Sequence, residues 1–437
     1  MKAFLARSPA RQRDPLGWCA ALALAFAALA GWRLGTPGRI YFDEVHYVPA
    51  ARALLALIPA NPEHPLFAKL AIAAAIATLG DQPAVWRLPS LVAGAIGLFA
   101  FGRALWWASG RRFATIAGMV LLASDFAWFI QSRIAMLDMV MAGLGLVALG
   151  LVAGAIGLPQ GAPAWQRRWR LAGAGLALGL AMGAKWSVLP LCAGLVLAVL
   201  AARALAIWRM GGETAATLPI PGISLAELAL WLISLPLVAY AATFTPAFFY
   251  HSQALAPTIP GLVAWHRYMV ALQASVIKPH PYQSHWWQWV IDWRAIWYLY
   301  EPVDGIQRGI VLIGNPVSML AGLPALVWCL WAGWRGRRLD AAAAVGFYAL
   351  TLGLWVVAHK PVQFYYHYLL PGTFLMAALA LALDDIWQAG GPLRWAAPAL
   401  VAAAVAVFAW FYPIIAAMPL HHGVMSFEDW MWLDSWR

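Results

Sequence analysis

Long apolar runs alternate with short polar joints along almost the whole chain. A bilayer's hydrocarbon core takes about 20 apolar residues per helical crossing. By that measure, runs at about 16–34, 84–108, 113–129, 136–158, 170–184, 188–207, 225–247, 308–334, 340–358, 365–388 and 394–414 predict eleven spans. The first run follows a basic segment and closes on small residues, as a cleaved leader would. So many spans follow that an uncleaved anchor is the expectation. Loop 35–83 contains the apolar stretch Leu66–Leu79, which is short for a crossing and holds Lys69. It is expected to lie along the interface. Segment 248–307 carries Trp286, Trp287, Trp289, Trp293 and Trp297, residues that favour the headgroup level.

Charge gives these spans a direction. Basic residues cluster at Lys2, Arg7, Arg11 and Arg13; at Arg111 and Arg112; at Arg167, Arg168 and Arg170; and at Arg335, Arg337 and Arg338. Under the positive-inside bias these joints are cytoplasmic, which leaves 35–83, 248–307 and the tail from about 419 on the external side. The expectation is a multi-pass protein of a bacterial inner membrane. Composition agrees: 63% of the 437 residues are apolar and 11% charged, too little polar surface for a water-soluble globule. The net charge of +11 lies in separated clusters rather than on one continuous face, so no nucleic-acid partner is expected. Cys19, Cys192 and Cys329 each sit in an apolar run and read as buried thiols. No internal repeat interrupts the pattern, and 1–437 reads as one all-α membrane domain.

Charges outside the basic clusters are scarce enough to count as candidates. Loop 35–83 contains YFDEVHY, with Asp43, Glu44 and His46, and then PEHPLFAK, with Glu63, His64 and Lys69. Carboxylate, imidazole and ammonium in one loop suit general-base chemistry beside an anionic substrate; an isolated acid pair in a loop is otherwise simply solvated. Arg87 opens the second span and could equally be an interfacial arginine with a snorkelling side chain. Arg133, Asp138, Lys185, Asn315, Lys360 and His367 all fall at external helix ends. Ionisable groups at membrane depth are expensive and usually line a polar cavity. Four of the five lysines are external, against the prevailing bias. Cations gathered with a carboxylate pair at one face suit a lipid-borne phosphate and an incoming acceptor.

In order along the chain, FDEVHY, HPLFAK, WRLPS, SRIAMLD, GLAMGAKWS, IGNPV and YYHYLLP resemble the signature segments of the protein O-mannosyltransferases, members of the GT-C membrane glycosyltransferases. The likeness runs from about residue 40 to 385. It implies a polyprenyl-phosphate-linked mannose donor, a Ser or Thr acceptor on an exported protein, and inversion at the sugar. It also brings possible association with the secretion machinery into view. By the resemblance Asp43 is the catalytic base, Glu44 supports it or engages the acceptor, and Arg87 is essential for phosphate or acceptor. Arg133 and Lys185 are phosphate ligands on chemical grounds, and His64, Lys69, Asp138, Asn315 and His367 complete the substrate-binding set. Asp43 and Glu44 could hold a divalent cation, but the resemblance favours no metal and no cofactor. Segment 248–307 is too short for the large lumenal insert of the fungal and animal enzymes, and Lys360 is displaced by about one position from the family's arginine.

Two other readings stay open. A related GT-C enzyme could move another sugar, such as aminoarabinose, onto lipid A or a polysaccharide. A transporter would place ionisable groups through the midplane and often shows inverted repeats, unlike this one-sided distribution.

Overall fold

A computed structural model describes residues 12–210, 219–275, 277–358, 360–421 and 425–437, with side chains of 209 and 210 excepted. The basic residues Lys2, Arg7 and Arg11 lie outside the described residues. The helices are α1 (Leu16–Gly31), α2 (Glu44–Leu55), α3 (Phe67–Leu79), α4 (Pro83–Ser109), α5 (Arg112–Ala123), α6 (Phe126–Gln131), α7 (Leu137–Gly157), α8 (Ala164–Ala184) and α9 (Leu189–Met210). They continue as α10 (Leu225–Phe249, with local π and 3-10 turns), then α11 (Ile259–Ala274), α12 (Trp286–Val290), α13 (Pro316–Trp334), α14 (Leu339–Val357), α15 (Leu369–Ala389) and α16 (Ala396–Ile415).

Among the described residues, eight helical segments are long and apolar enough to cross a membrane. They correspond to α4, α7, α9, α10 and α13 to α16. The other three expected spans are the shorter apolar helices α1 and α5 and α8, whose first turns contain Arg167, Arg168 and Arg170. The third span breaks at Ser124–Asp125, and Asp125 caps α6 by accepting from the Trp128 amide at 2.9 Å.

Close backbone contact holds the centre of the bundle. A Cβ on Gly143 of α7 would stand 2.3 Å from the Ala93 carbonyl oxygen of α4, and one on Gly175 of α8 2.0 Å from that of Trp231 in α10. In lipid, where apolar surface gives helices little reason to associate, small residues let dispersion and backbone dipoles do so.

The polar joints separate onto two faces. On one, Arg111 binds Asp384 and Asp385, and Arg338 bridges Asp385 and Asp340, tying α5, α14 and α15 together. On the other lie the α1–α4 loop, the α6–α7 and α8–α9 joints, segment 250–315 and residues 358–368. This second face carries the candidate site.

Segment 248–307 contains two helices, α11 and the short α12, and part of a hairpin. Strands β1 (Ile296–Val303) and β2 (Ile306–Leu312) pair antiparallel across Asp304–Gly305, both with positive φ, the two-residue turn that matches strand twist. The apolar run Ile310–Leu312 therefore belongs to a strand, and α13 starts at Pro316 rather than 308. Of the tryptophans expected at headgroup level, Trp289 is buried, while Trp286, Trp287 and Trp293 are exposed. The tail fastens the hairpin from behind. Trp436 donates its indole N–H to the Asp292 carbonyl (2.7 Å) and accepts from the Trp297 indole (3.0 Å). On β2, the Leu420 amide donates to the Gln307 carbonyl at 2.9 Å.

Candidate active site

Asp43 and Glu44 stand where the α1–α4 loop turns into α2, and their side chains serve different ends. Glu44 is fully buried and paired with Arg87, Nε to Oε1 at 2.8 Å and Nη2 to Oε2 at 2.9 Å. The same carboxylate accepts from the backbone amides of Tyr41 (3.3 Å) and Ala135 (3.0 Å). Arg87 spends its remaining N–H groups on the carbonyls of Leu34 (2.9 Å), Pro37 (2.9 Å) and Arg39 (3.0 Å). All five guanidinium donors are thus used within the protein. This corrects the phosphate role expected for Arg87. It is a clamp that folds the 34–44 segment, and it leaves Asp43 as the acid of the pair that can act outward.

Arg133 is likewise anchored to backbone carbonyls, through Nη1 and Nη2. It donates to the carbonyls of Ala30, Trp32 (2.8 Å) and Arg33 (3.4 Å), where its charge meets the negative end of the α1 dipole. Lys69, fully buried, donates to the carbonyls of Asn61 (2.6 Å) and His64 (2.9 Å) and so pins the 61–66 loop. Burial lowers its pKa to about 7, against the opposing charge of Glu63. Asn315 caps α13 and donates to the carbonyls of Ser124 (3.0 Å) and Ala404 (2.8 Å). It is a joint between three helices, away from Asp43.

The groups that gather around Asp43 come from distant parts of the chain. Lys185, at the C-terminal cap of α8, donates to both oxygens of Asp138 in the first turn of α7, each at 2.8 Å. Both helix ends carry the charge their dipoles favour. The Lys185 ammonium also lies 5.0 Å from the centre of the Tyr366 ring. Asp43, half-buried, has its pKa raised to about 6 by desolvation, opposed by Lys185 and reinforced by Asp138, with His46 and Lys360 also lowering it. Lys360 is pushed down to about 8 by burial and Lys185, opposed by Asp138 and Asp43. His64 is held well below its ordinary value by burial and by Lys185 and Lys69; its ring meets Tyr47 edge-on at 6.0 Å. His367 packs 3.8 Å from the Trp355 ring, accepts from the Phe364 amide at 3.0 Å, and keeps a buried Nε2 with no partner among the described residues.

The arrangement is an acid poised near neutrality beside a lysine–aspartate pair and a second lysine, at the end of a helix bundle. Sequence reasoning missed the aromatic wall beside it. Phe42 stacks on Tyr298 of β1 with centroids 3.8 Å apart. The Asp304–Gly305 turn, flanked by aromatic and β-branched residues, was the available signal for that strand.

The fold is that of a GT-C type membrane glycosyltransferase. The chain aligns over its full length, at TM-score 0.83 and 13% identity, with the S. cerevisiae protein O-mannosyltransferase Pmt1-Pmt2 complex bound to the sugar donor, covering 94% of that chain. It also aligns with ArnT from Cupriavidus metallidurans bound to undecaprenyl phosphate, at TM-score 0.61 and 17% identity, over 94% of this chain and 67% of that one. Family profiles match at residues 86–250 (dolichyl-phosphate-mannose-protein mannosyltransferase) and 259–436 (C-terminal four TMM region of protein-O-mannosyltransferase). The chain belongs to the protein O-mannosyltransferase family. Similar relatives include the polyprenol-phosphate-mannose–protein mannosyltransferases of Mycolicibacterium smegmatis (27% identity; 96% of this chain and 93% of the relative) and Mycobacterium tuberculosis (28%; 92% and 87%).

Proposed function

We propose that the protein moves mannose from a polyprenyl-phosphate donor to Ser or Thr hydroxyls of exported proteins, with Asp43 as the base. Membership of the mannosyltransferase family carries the reaction. The convergence of Asp43 with Lys185, Asp138 and Lys360 supports the site. In a single in-line displacement the acceptor oxygen bonds to the anomeric carbon as the bond to the phosphate oxygen breaks. Asp43 takes the hydroxyl proton, and the lipid phosphate leaves with the electron pair. An inverting step of this kind needs one base and charge stabilisation of the leaving group. Lys185 and Lys360 supply that charge, with Asp138 orienting Lys185, and the buried imidazoles of His64 and His367 shape the pocket. Membranes given polyprenyl-phosphate mannose and a Ser/Thr peptide should mannosylate the peptide. Labelling confined to glycolipid would select the aminoarabinose-like alternative.

The proton step fixes a pH dependence. Asp43 must be ionised to accept a proton, and burial raises its pKa to about 6, so the working form is lost as pH falls through that value. The kcat/KM for transfer, which reports the free enzyme, should peak between the Asp43 value of about 6 and the Lys360 value of about 8, and decline above the latter as Lys360 loses its charge. It should fall about tenfold per unit below pH 5. A profile flat down to pH 4.5 would remove Asp43 from the proton transfer.

The site face is the external, periplasmic one of a bacterial inner membrane in this reading, because Arg111, Arg112, Arg167, Arg168, Arg335, Arg337 and Arg338 lie at the opposite helix ends. Acceptors would reach it as they emerge from the secretion machinery. An impermeant thiol reagent applied to intact cells should label a cysteine placed at 280 and spare one at 336. The reverse pattern would overturn the orientation.

A further inference from the structure

Two local backbone irregularities meet beside Asp43. Phe42 adopts φ 48°, a left-handed conformation that is a strained outlier for a bulky side chain. Opposite it, the β1–β2 register slips between Trp297 and Leu299, so Tyr298 is the extra residue of a bulge. Bulges re-aim a side chain that a regular ladder would have turned the other way. Each irregularity turns its ring toward the other, giving the Phe42–Tyr298 stack at 3.8 Å and 16° between planes.

The stack borders an open cleft of about 260 Å³, lined also by Tyr282, Tyr300 and Glu301. Glu301 pairs with Arg39 at 2.5 Å on its rim. The tail segment lies against β2, through the Leu420 amide, and β1 pairs with no strand other than β2 among the described residues. The Tyr298 hydroxyl is buried and has no hydrogen-bond partner among the described residues. It lies within electrostatic reach of Asp138 and Asp43. A buried hydroxyl without a partner costs stability unless something completes it, and here it lies where the cleft approaches the base.

We propose that this cleft receives the acceptor polypeptide in extended form, with the Tyr298 hydroxyl hydrogen-bonded to the acceptor segment so that its Ser or Thr hydroxyl faces Asp43. The inference deepens the mannosyltransferase reading and rests on it. Aromatic walls suit an extended polypeptide because flat rings give contact area at little cost in side-chain entropy. The donor's lipid tail requires hydrocarbon, whereas this cleft opens between a polar turn and a strand at the bundle end. Tyr298 is thus a positioning residue for the acceptor, distinct from the lysines that serve the phosphate.

The test is steady-state transfer from polyprenyl-phosphate mannose to a Ser/Thr peptide, with each substrate varied in turn. Tyr298→Phe keeps the ring stack and removes the hydroxyl, and Tyr282→Ala trims the half-buried opposite wall. Each should raise the peptide KM roughly tenfold, the scale of one lost hydrogen bond or aromatic contact, with the donor KM unchanged. An unchanged peptide KM in both variants overturns the proposal. So do equal rises for donor and peptide, which would make the cleft part of the general architecture. A second measurement uses the wild-type protein without donor, so it depends on neither turnover nor variant folding. A peptide bearing a benzophenone two residues from its hydroxyl should crosslink within 282–301, and adducts confined to other loops overturn the assignment. Wild-type protein that transfers to no peptide would instead refute the mannosyltransferase reading itself, a result distinguishable from variants that match an active wild type.

Discussion

Asp43→Asn should abolish mannosyl transfer while leaving the protein folded and able to bind donor lipid. The amide is nearly the same size and half-buried like the acid it replaces, so packing survives. An amide cannot accept the proton that the attacking hydroxyl must lose. General-base removal typically costs about 10²–10⁴ in rate, and the adjacent Glu44 and the nearby Asp138 are both already engaged. Asp138 is engaged by Lys185 through both oxygens, and Glu44 by Arg87. The loss should therefore fall at the upper end of that range and appear in kcat, with donor affinity within about twofold of the parent. The measurement is single-turnover transfer alongside donor titration on the purified variant. Turnover within tenfold of wild type would transfer the base role to another group.

Arg87→Ala should fail differently, by unfolding rather than by losing the donor. Removing the guanidinium leaves the Glu44 carboxylate buried without its partner and frees the carbonyls of Leu34, Pro37 and Arg39. Breaking one half of a buried ion pair costs about 3–5 kcal/mol, which should lower the thermal unfolding midpoint in detergent and expose 34–44 to protease. Removing both charges together, as Arg87→Met with Glu44→Leu, should recover much of the midpoint, since replacing the whole pair spares the stranded charge. Arg87→Lys should remain poor, because one ammonium cannot reach five acceptors spread around a planar fork. A normal midpoint combined with selective loss of donor binding would restore the phosphate role.

The difference between these two residues marks where the sequence stops being readable. Spans and their direction are legible because lipid imposes a length of apolar helix and a bias in basic charge, both written in residue type. Asp43, Asp138 and Lys185 are legible because charge at helix ends on one face is costly unless used. Arg87 and Arg133 carry the same signal, yet their partners are mostly backbone carbonyls at 30–39, and a carbonyl has no residue type. Nothing in the composition of that loop distinguishes an arginine that clamps it from one that faces a substrate. The β-hairpin was hidden by the opposite ambiguity, since the buried end of β2 at Ile310–Leu312 and the start of a membrane helix are both short apolar runs. Asn315 read as a site residue because it falls at an external helix end within the IGNPV segment of the resemblance; its amide is consumed in joining helices.

The tail that braces the hairpin sets an order in which the wall beside Asp43 can be completed. Trp436 reaches back 144 residues to the Asp292 carbonyl, and every membrane span lies before it in the chain. Ribosomes add about 5–20 residues per second, so Asp43 on the first loop exists on the order of tens of seconds before the brace behind β1 is synthesised. In that interval the nascent protein holds a reactive acid beside an unfastened wall. The wall beside Asp43 is therefore fastened only after the α13 to α16 spans, which lie between β1 and residues 425–437 in the chain, have been made.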